Sequence, residues 1–465
     1  MRLPVACRIA TRDGTLTKDS KMVNCFSEAD PDGGVNVVKR PGTALVQSFG
    51  ASVAQVGFAT GGAAFGVFGD TIRGLNVGFT LALPSPVLPN LRMKASDANF
   101  LPSNTGISFI KSTRAAWAFD LASFGVTKVT DADYPSQTVP GFAYLDGTYY
   151  VMDATGIIYG SDIENSLSWN ALNFIATDRG LGIAISITRH LNYVLALCDF
   201  GLQFFYDAAN ATGSPLLPMP NSTCTVGCAH ADSVASIEDM TIFMSKNRQR
   251  GRSISAISGL GVQAISTPFI DKILNNDDLS SVWAYGIRVA GHSFYVLTLG
   301  TSNVTLVCDL TSHEWVQWAS GASGNSAFNG AFYCHAEGNA LPATQDLLLN
   351  PTNGSVYSFL PSTYTDVESS IWCQIDTPIW DQGTIDSKRI ARVNLIGDTV
   401  NSSVAMSYSK DDYQTYSTPV SIDMSTERKL ATRLGRSRRR SFRLTHNANT
   451  PLRLKAIEIH PDPTV

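Results

Sequence analysis

The sequence predicts an all-β protein: a β-propeller of about six blades at 51–365, a C-terminal β-sandwich-like domain at 366–465 and an N-terminal arm at 1–50. Three observations predict it. A unit of polar turn, apolar run, Gly turn and second apolar run returns along the chain, as turn residues and half-buried strands should. Its anchors Asp146, Asn192, Asp239 and Gly291 are about 40 to 50 residues apart, one blade length. After about residue 366 the unit stops and strict two-residue alternation begins.

The elements follow in order. The arm has short strands at 23–26 and 35–38 about the turn Asp30-Pro31-Asp32-Gly33-Gly34, then Lys39-Arg40-Pro41-Gly42; strong turn chemistry between short apolar runs gives a hairpin. The repeats start near Gly69-Asp70. They continue with Asp146-Gly147-Thr148-Tyr149-Tyr150-Val151, His190-Leu191-Asn192-Tyr193-Val194-Leu195, Asp239-Met240-Thr241-Ile242-Phe243-Met244, Gly291-His292-Ser293-Phe294-Tyr295-Val296-Leu297 and Asn329-Gly330-Ala331-Phe332-Tyr333. One interruption is helical: Thr267 can cap, Pro268 suits the first position, Asp271 complements the dipole, and Ile270, Ile273 and Leu274 share a face. In the last hundred residues Ile390-Ala391-Arg392-Val393-Asn394-Leu395-Ile396 and Leu452-Arg453-Leu454-Lys455-Ala456-Ile457-Glu458-Ile459 alternate, one face buried and one wet. That length suits a sandwich.

Composition narrows the function classes. Charged residues are 16% of the 465, against a usual ~25%. So low a charge suits a surface covered by neighbouring subunits, because a free monomer normally carries more charge for solubility; an ordinary uncharged β monomer is the other reading. A net charge of -4 argues against a surface built wholly as a nucleic-acid clamp. No apolar run approaches the ~18 residues of a membrane span, and Met1-Arg2-Leu3-Pro4-Val5-Ala6-Cys7-Arg8 is too soon interrupted for a secretion signal. The chain is expected in the cytoplasm where it is made, and its sequons at Asn210, Asn221, Asn303, Asn353 and Asn401 are expected to be accidental. The eight cysteines should be small buried hydrophobes. Cys224, Cys228 and His230 form the one cluster, but no second ligand pair follows, so no metal is expected.

Few residues suggest chemistry. Within 428–443 stand eight basic residues and no acidic one: Arg428, Lys429, Arg433, Arg436, Arg438, Arg439, Arg440 and Arg443. Two readings stay open for Arg433, Arg436, Arg438, Arg439 and Arg440. They contact DNA phosphates, with the steep salt dependence that implies, or they lie on a wet strand face and reach carboxylates of a neighbouring subunit. The segment Tyr408-Ser409-Lys410-Asp411-Asp412-Tyr413-Gln414-Thr415-Tyr416 approximates the Asp-box turn of sialidase blades, with Tyr413 in place of its glycine. A glycosidase needs two carboxylates about 5 to 10 Å apart, whereas Asp70, Asp146, Asp153, Asp199 and Asp309 fall at turns, where Asp is a common former. Phosphate-loop, zincin and nucleophile-elbow motifs are missing. The glycines from Gly57 to Gly69 suit close strand packing, and His190, His292, His313 and His335 stand alone in the sequence. The expectation is no catalytic residue, no cofactor and no small-molecule substrate.

Four motifs carry a family resemblance. Asn24-Cys25-Phe26 leading to Arg40-Pro41-Gly42, and Ile265-Ser266-Thr267-Pro268-Phe269-Ile270 followed by His292-Ser293-Phe294-Tyr295-Val296-Leu297, resemble the tail-nozzle, or packaged-DNA stabilisation, proteins of short-tailed bacteriophages. Cys308-Asp309-Leu310-Thr311-Ser312-His313-Glu314-Trp315 is similar to that family's last-blade pattern, and Arg433-Leu434-Gly435-Arg436-Ser437-Arg438-Arg439 with Phe442-Arg443-Leu444 to its closing strand. The resemblance implies a non-enzymatic structural protein of the virion tail, assembled in the host cytoplasm. It implies a self-associating ring, expected as a hexamer, below the portal and the adaptor or head-tail connector ring. Packaged DNA would pass through the channel, and needle, spike or fibre proteins or the host surface would meet the tip. The alternative from another class is a propeller virion protein that binds or cleaves glycans. The Tyr413 replacement and a Gly57 to Gly69 blade without Tyr or Trp depart from the pattern, and they bear on the tip more than on the fold.

Overall fold

The computed structural model describes residues 2–461 apart from 51–52, 61–62, 76–79, 84–93, 96–106, 121, 211, 248–250, 336–345 and 368. Antiparallel sheets succeed one another around a common axis as a β-propeller. Six blades are each built from consecutive strands, at 54–82, 94–128, 143–176, 184–218, 227–264 and 282–320. A further sheet is composite: Phe332–His335, Asp346–Leu349 and Ser355–Leu360 are joined by Gly42–Ser48 from near the N-terminus, and two short strands, Thr365–Asp366 and Ser369–Ser370, extend it beyond Gly42–Ser48. Among the described residues this makes six consecutive blades plus one composite unit that closes the circle against the first blade, where about six were expected.

The four sequence anchors all fall in the same kind of turn, Asp146 at its first residue and Asn192, Asp239 and Gly291 at the second. Strand pairing of Leu145 with Thr148, His190 with Tyr193, Ile237 with Met240 and Val289 with His292 leaves two-residue turns at 146–147, 191–192, 238–239 and 290–291. Asp146, Leu191, Glu238 and Ala290, the first residue of each, have φ between +47° and +52°. Turns of this kind match the twist of the flanking strands, which is why they recur. The strand that follows each turn is largely buried, and Thr148–Met152 and His292–Leu299 are buried at every residue. A strand sandwiched between neighbouring blades has no wet face, so its pattern is continuous instead of alternating.

The Gly57 to Gly69 stretch forms the first-blade hairpin, with Gly57 paired to Gly66; Gly61 and Gly62 lie outside the described residues. A Cβ on Gly57 would stand 3.0 Å, and one on Gly66 2.9 Å, from Leu349 side-chain atoms, so the glycines set how closely this blade approaches the composite sheet. The helix is Pro268–Asn276, as the capping pattern predicts: the Thr267 side chain accepts from the Ile270 amide, and Ile270, Ile273 and Leu274 are buried. Among the described residues no helix is long and apolar enough to cross a membrane.

Two further sheets follow the propeller. Cys373–Asp376, Ser441–His446, Ser403–Ser409 and Val420–Asp423 lie in one, and Lys388–Gly397, Arg453–Pro461 and Leu430–Thr432 in the other. Val404, Met406 and Leu444 from the first share a core with Val393, Leu395, Ile457 and Ile459 from the second. The opening fifty residues supply strands to three sheets. Cys25–Ala29 and Val35–Lys39 extend the second C-terminal sheet, Gly42–Ser48 completes the composite unit, and Lys21–Val23 lies between Glu314–Ser320 of the sixth blade and Cys373–Asp376. The sixth blade therefore runs without a break into the C-terminal sheet.

Candidate functional site

The basic run divides by position in the fold. Arg433, Arg436, Arg438 and Arg439 are exposed, whereas Arg440 is 1% exposed and belongs to the interior. The exposed ones gather at one edge of the second C-terminal sheet. Arg436 sits directly opposite Arg389 across the strand pair, and Arg433 follows Thr432, the partner of Arg392. Arg436 and Arg389 thus carry like charges directly opposite each other across the pair. Arg439 pairs with Asp412, and the backbone carbonyl of Arg438 accepts from Lys388 Nζ at 3.0 Å.

Behind that edge the arginines are stacked and paired. Arg443 donates from Nε to Asp376 Oδ1 at 2.6 Å and from Nη2 to Oδ2 at 3.0 Å, and its guanidinium lies 3.7 Å from the centre of the Tyr416 ring. Asp376 is wholly buried and also accepts from Gln374. Arg440 lies 4.2 Å from the centre of the Tyr408 ring and donates from Nε to Ser437 Oγ at 3.1 Å. Burial pushes its pKa down to about 10, with the nearby Tyr408 hydroxyl opposing the shift. Its backbone pairs with Trp380 in both directions, which fixes the side chain inside the fold.

The Asp-box-like turn forms although its glycine is replaced. Asp411 accepts from the Thr415 amide at 2.9 Å and from Ser409 Oγ at 2.8 Å, while Ser409 Oγ accepts from the Tyr413 amide at 3.0 Å. Tyr413 stands at φ +68°, the left-handed conformation a glycine would adopt without cost. Burial of its ring and a 2.8 Å hydrogen bond from its hydroxyl to the Thr377 carbonyl offset that strain.

The acidic turn residues do not converge. Asp153 accepts from Thr155 and Ile157 in its own turn, Asp199 pairs with Lys246, and Asp309 accepts from Thr311 and Ser312. Two histidines that stand alone in the sequence gain carboxylate partners in the fold: His292 with Asp309 and His335 with Asp346, each at 2.8 Å. Strand register brings them together, since Asp309 pairs with Phe294, two residues beyond His292. His190 contacts Thr241 Oγ1 and the Gly259 carbonyl, and His313 holds a turn at φ +56°. Cys228 is buried and donates to the His230 carbonyl at 3.4 Å, while His230 caps a short 3-10 turn by accepting from the Asp232 amide.

Where first strands converge there is a cavity of about 340 Å³, lined by Gln55, Asp232, Trp283, Tyr285 and Tyr333 among others. Its walls come from the first, fifth, sixth and composite units.

The family model described as "Bacteriophage P22 Gp10, beta-propeller" matches residues 95–345, just over half of the chain. No curated protein matches the sequence. Among solved structures, the extracellular domain of a one component system from B. thetaiotaomicron aligns with TM-score 0.44 at 11% identity, covering 78% of this chain and 44% of that one. The N-terminal domain of Nup159 aligns with TM-score 0.40 at 10% identity over 73% of this chain and 98% of that one.

Proposed function

The chain belongs to the bacteriophage P22 Gp10 β-propeller family, and from that membership we propose that it is a phage tail-nozzle stabilisation protein that forms an oligomeric ring closing the DNA-ejection channel. Copies of the chain, expected as six, stand below the portal and its adaptor ring and retain the packaged genome without catalytic turnover. Needle, spike or fibre proteins and the host surface meet the far side. Assembly takes place in the host cytoplasm before the tail is completed. The observation that carries this reading is the match over the blades themselves, residues 95–345.

The physical features agree with it. In such a ring the DNA passage lies between the copies. A conduit must release its cargo, and a chain of net charge -4 does not grip phosphate over its whole surface. The exposed edge of Arg433, Arg436, Arg438 and Arg439 is the place where this chain would touch passing DNA or the carboxylates of a neighbour. We also propose that the propeller at 51–365 and the sandwich at 366–465 act as separate working parts of the ring, joined through the strands of 1–50.

Particles assembled with and without the protein test this directly. Nuclease-resistant genome per particle, measured after release from the packaging motor, should fall to background when the protein is withheld and recover when it is added back. Full retention in its absence would remove the role.

A further inference from the structure

Lys410 and Arg440 stand one step beyond the Ser409–Ser441 pair of the antiparallel strands Ser403–Ser409 and Ser441–His446. They face each other with no carboxylate between them. The Nη1 and Nη2 atoms of Arg440 are buried and have no hydrogen-bond partner, and neither does the neighbouring buried Ser441 Oγ. Lys410 Nζ lies 5.4 Å from the centre of the same Tyr408 ring that carries Arg440, and 3.8 Å from where a Cβ on Gly435 would sit. Of the carboxylates on adjoining elements, Asp411 is engaged by Ser409 and Thr415 and Asp376 by Arg443, while Asp412 pairs with Arg439 through Oδ2 and keeps a buried Oδ1 without a hydrogen-bond partner.

A buried guanidinium without a counter-charge is strongly unfavourable, and like charges apposed across strands add to the cost. One external anion resolves both. The free end of the guanidinium presents two parallel donors, the fork that grips two oxygens of an oxyanion, and a lysine beside it supplies a point charge of the kind phosphate sites use. A carboxylate would neutralise one of the two cations, whereas a dianion neutralises both.

We propose that Arg440 and Lys410 form a binding site for a doubly charged tetrahedral oxyanion of the phosphate class. Arg440 takes two oxygens through Nη1 and Nη2, and Lys410, which is exposed, swings over the site as both cover and ligand. Arg433, Arg436 and Arg438, exposed in the same basic run, raise the local positive potential and favour anion approach. The inference stands on these residues and does not depend on the tail role.

Thermal unfolding of the full chain at neutral pH tests it, comparing sodium phosphate with sodium chloride at matched ionic strength. Inorganic phosphate should raise the Tm of the wild-type protein saturably, as a ligand of the native state does. Lys410→Met, which alters an exposed side chain, should raise the half-saturating phosphate concentration by about tenfold, the weight of one charge-assisted contact. Arg440→Gln should abolish the effect. A duplex oligonucleotide, whose phosphodiesters each carry a single charge, forms a second arm: a rise that depends on Lys410 with the oligonucleotide but not with inorganic phosphate would overturn the dianion site in favour of a nucleic-acid backbone. No rise over chloride in either arm, or an equal rise in the wild type and Lys410→Met, an adventitious ion only, overturns the site.

Discussion

Arg40 and Asp366 form a buried ion pair that joins the beginning of the chain to the end of the propeller. Nη1 of Arg40 donates to Asp366 Oδ1 at 2.9 Å and Nη2 to Oδ2 at 2.5 Å, with Arg40 wholly inaccessible to solvent. The remaining donors and acceptors are satisfied as well. Arg40 Nε donates to Asn24 Oδ1 at 2.8 Å, Asn24 Nδ2 donates to the carbonyls of Ala319 and Trp372, and Thr43 Oγ1 donates to Asp366. The network thus ties the N-terminal hairpin, the sixth blade and the C-terminal sheet. It also gives a physical reason for the motif Asn24-Cys25-Phe26 with Arg40-Pro41-Gly42.

Removing one partner of this pair leaves the other charge buried. Asp366→Ala should lower stability by about 3–5 kcal/mol, read as a fall in the chemical-unfolding midpoint. Asp366→Asn keeps an acceptor for Thr43 and should lose less. Equal stability of Asp366→Ala and the wild type would show that the junction does not depend on the pair.

Gly42 begins the strand that completes the composite sheet, and a Cβ there would stand 2.2 Å from the Thr365 carbonyl oxygen. Backbone cannot yield as a side chain can. Gly42→Ala should therefore cost about 1–3 kcal/mol and increase proteolytic cleavage on either side of residues 42–48, monitored by mass spectrometry of limited digests.

Tyr413→Gly would restore the residue that an Asp-box prefers and relieve a left-handed backbone, a gain of about 1–2 kcal/mol. It would also remove a buried aromatic ring, a loss of about 3–5 kcal/mol. The net expectation is destabilisation, visible as a lower Tm, with Tyr413→Phe losing only the hydrogen bond to Thr377. A Tm for Tyr413→Gly above the wild type would mean that backbone strain outweighs packing at this turn.

His446 is buried beside Lys39, and burial with that neighbouring positive charge pushes its pKa down to about 4. The folded state therefore binds this proton less readily than the unfolded chain, in which His titrates near pH 6.5. Its contribution to stability is complete above about pH 6.5 and is lost as pH falls towards about 4, on the order of 3 kcal/mol in all. Unfolding measured across that window should show a shallower decline for His446→Gln than for the wild type. Parallel curves would remove His446 as the cause.

The blades were legible because their turns are chemically constrained. Asp146-Gly147 and Ala290-Gly291 place a positive φ at both turn residues, and few residue pairs tolerate that, so the period stands out. The composite unit was not legible, because its last strand comes from residues 42–48, some 300 positions before its neighbour at 355–360, and no local pattern announces a pairing so distant. The basic run shows the same limit. Arg436, Arg438 and Arg440 look equivalent in sequence, yet Arg440 is interior because its backbone pairs with Trp380, sixty positions away. Nor could spacing reveal that Arg40 would meet Asp366, or His292 Asp309, since strand register brings those groups together.

The measurement that tests the central claim most directly is electron microscopy of the purified protein, alone and mixed with the adaptor ring of its own phage, with native mass spectrometry of the same samples. The account predicts annular particles of several copies seated coaxially on the adaptor, with an opening between subunits wide enough for a duplex. A single-chain mass and no annulus under both conditions would contradict it.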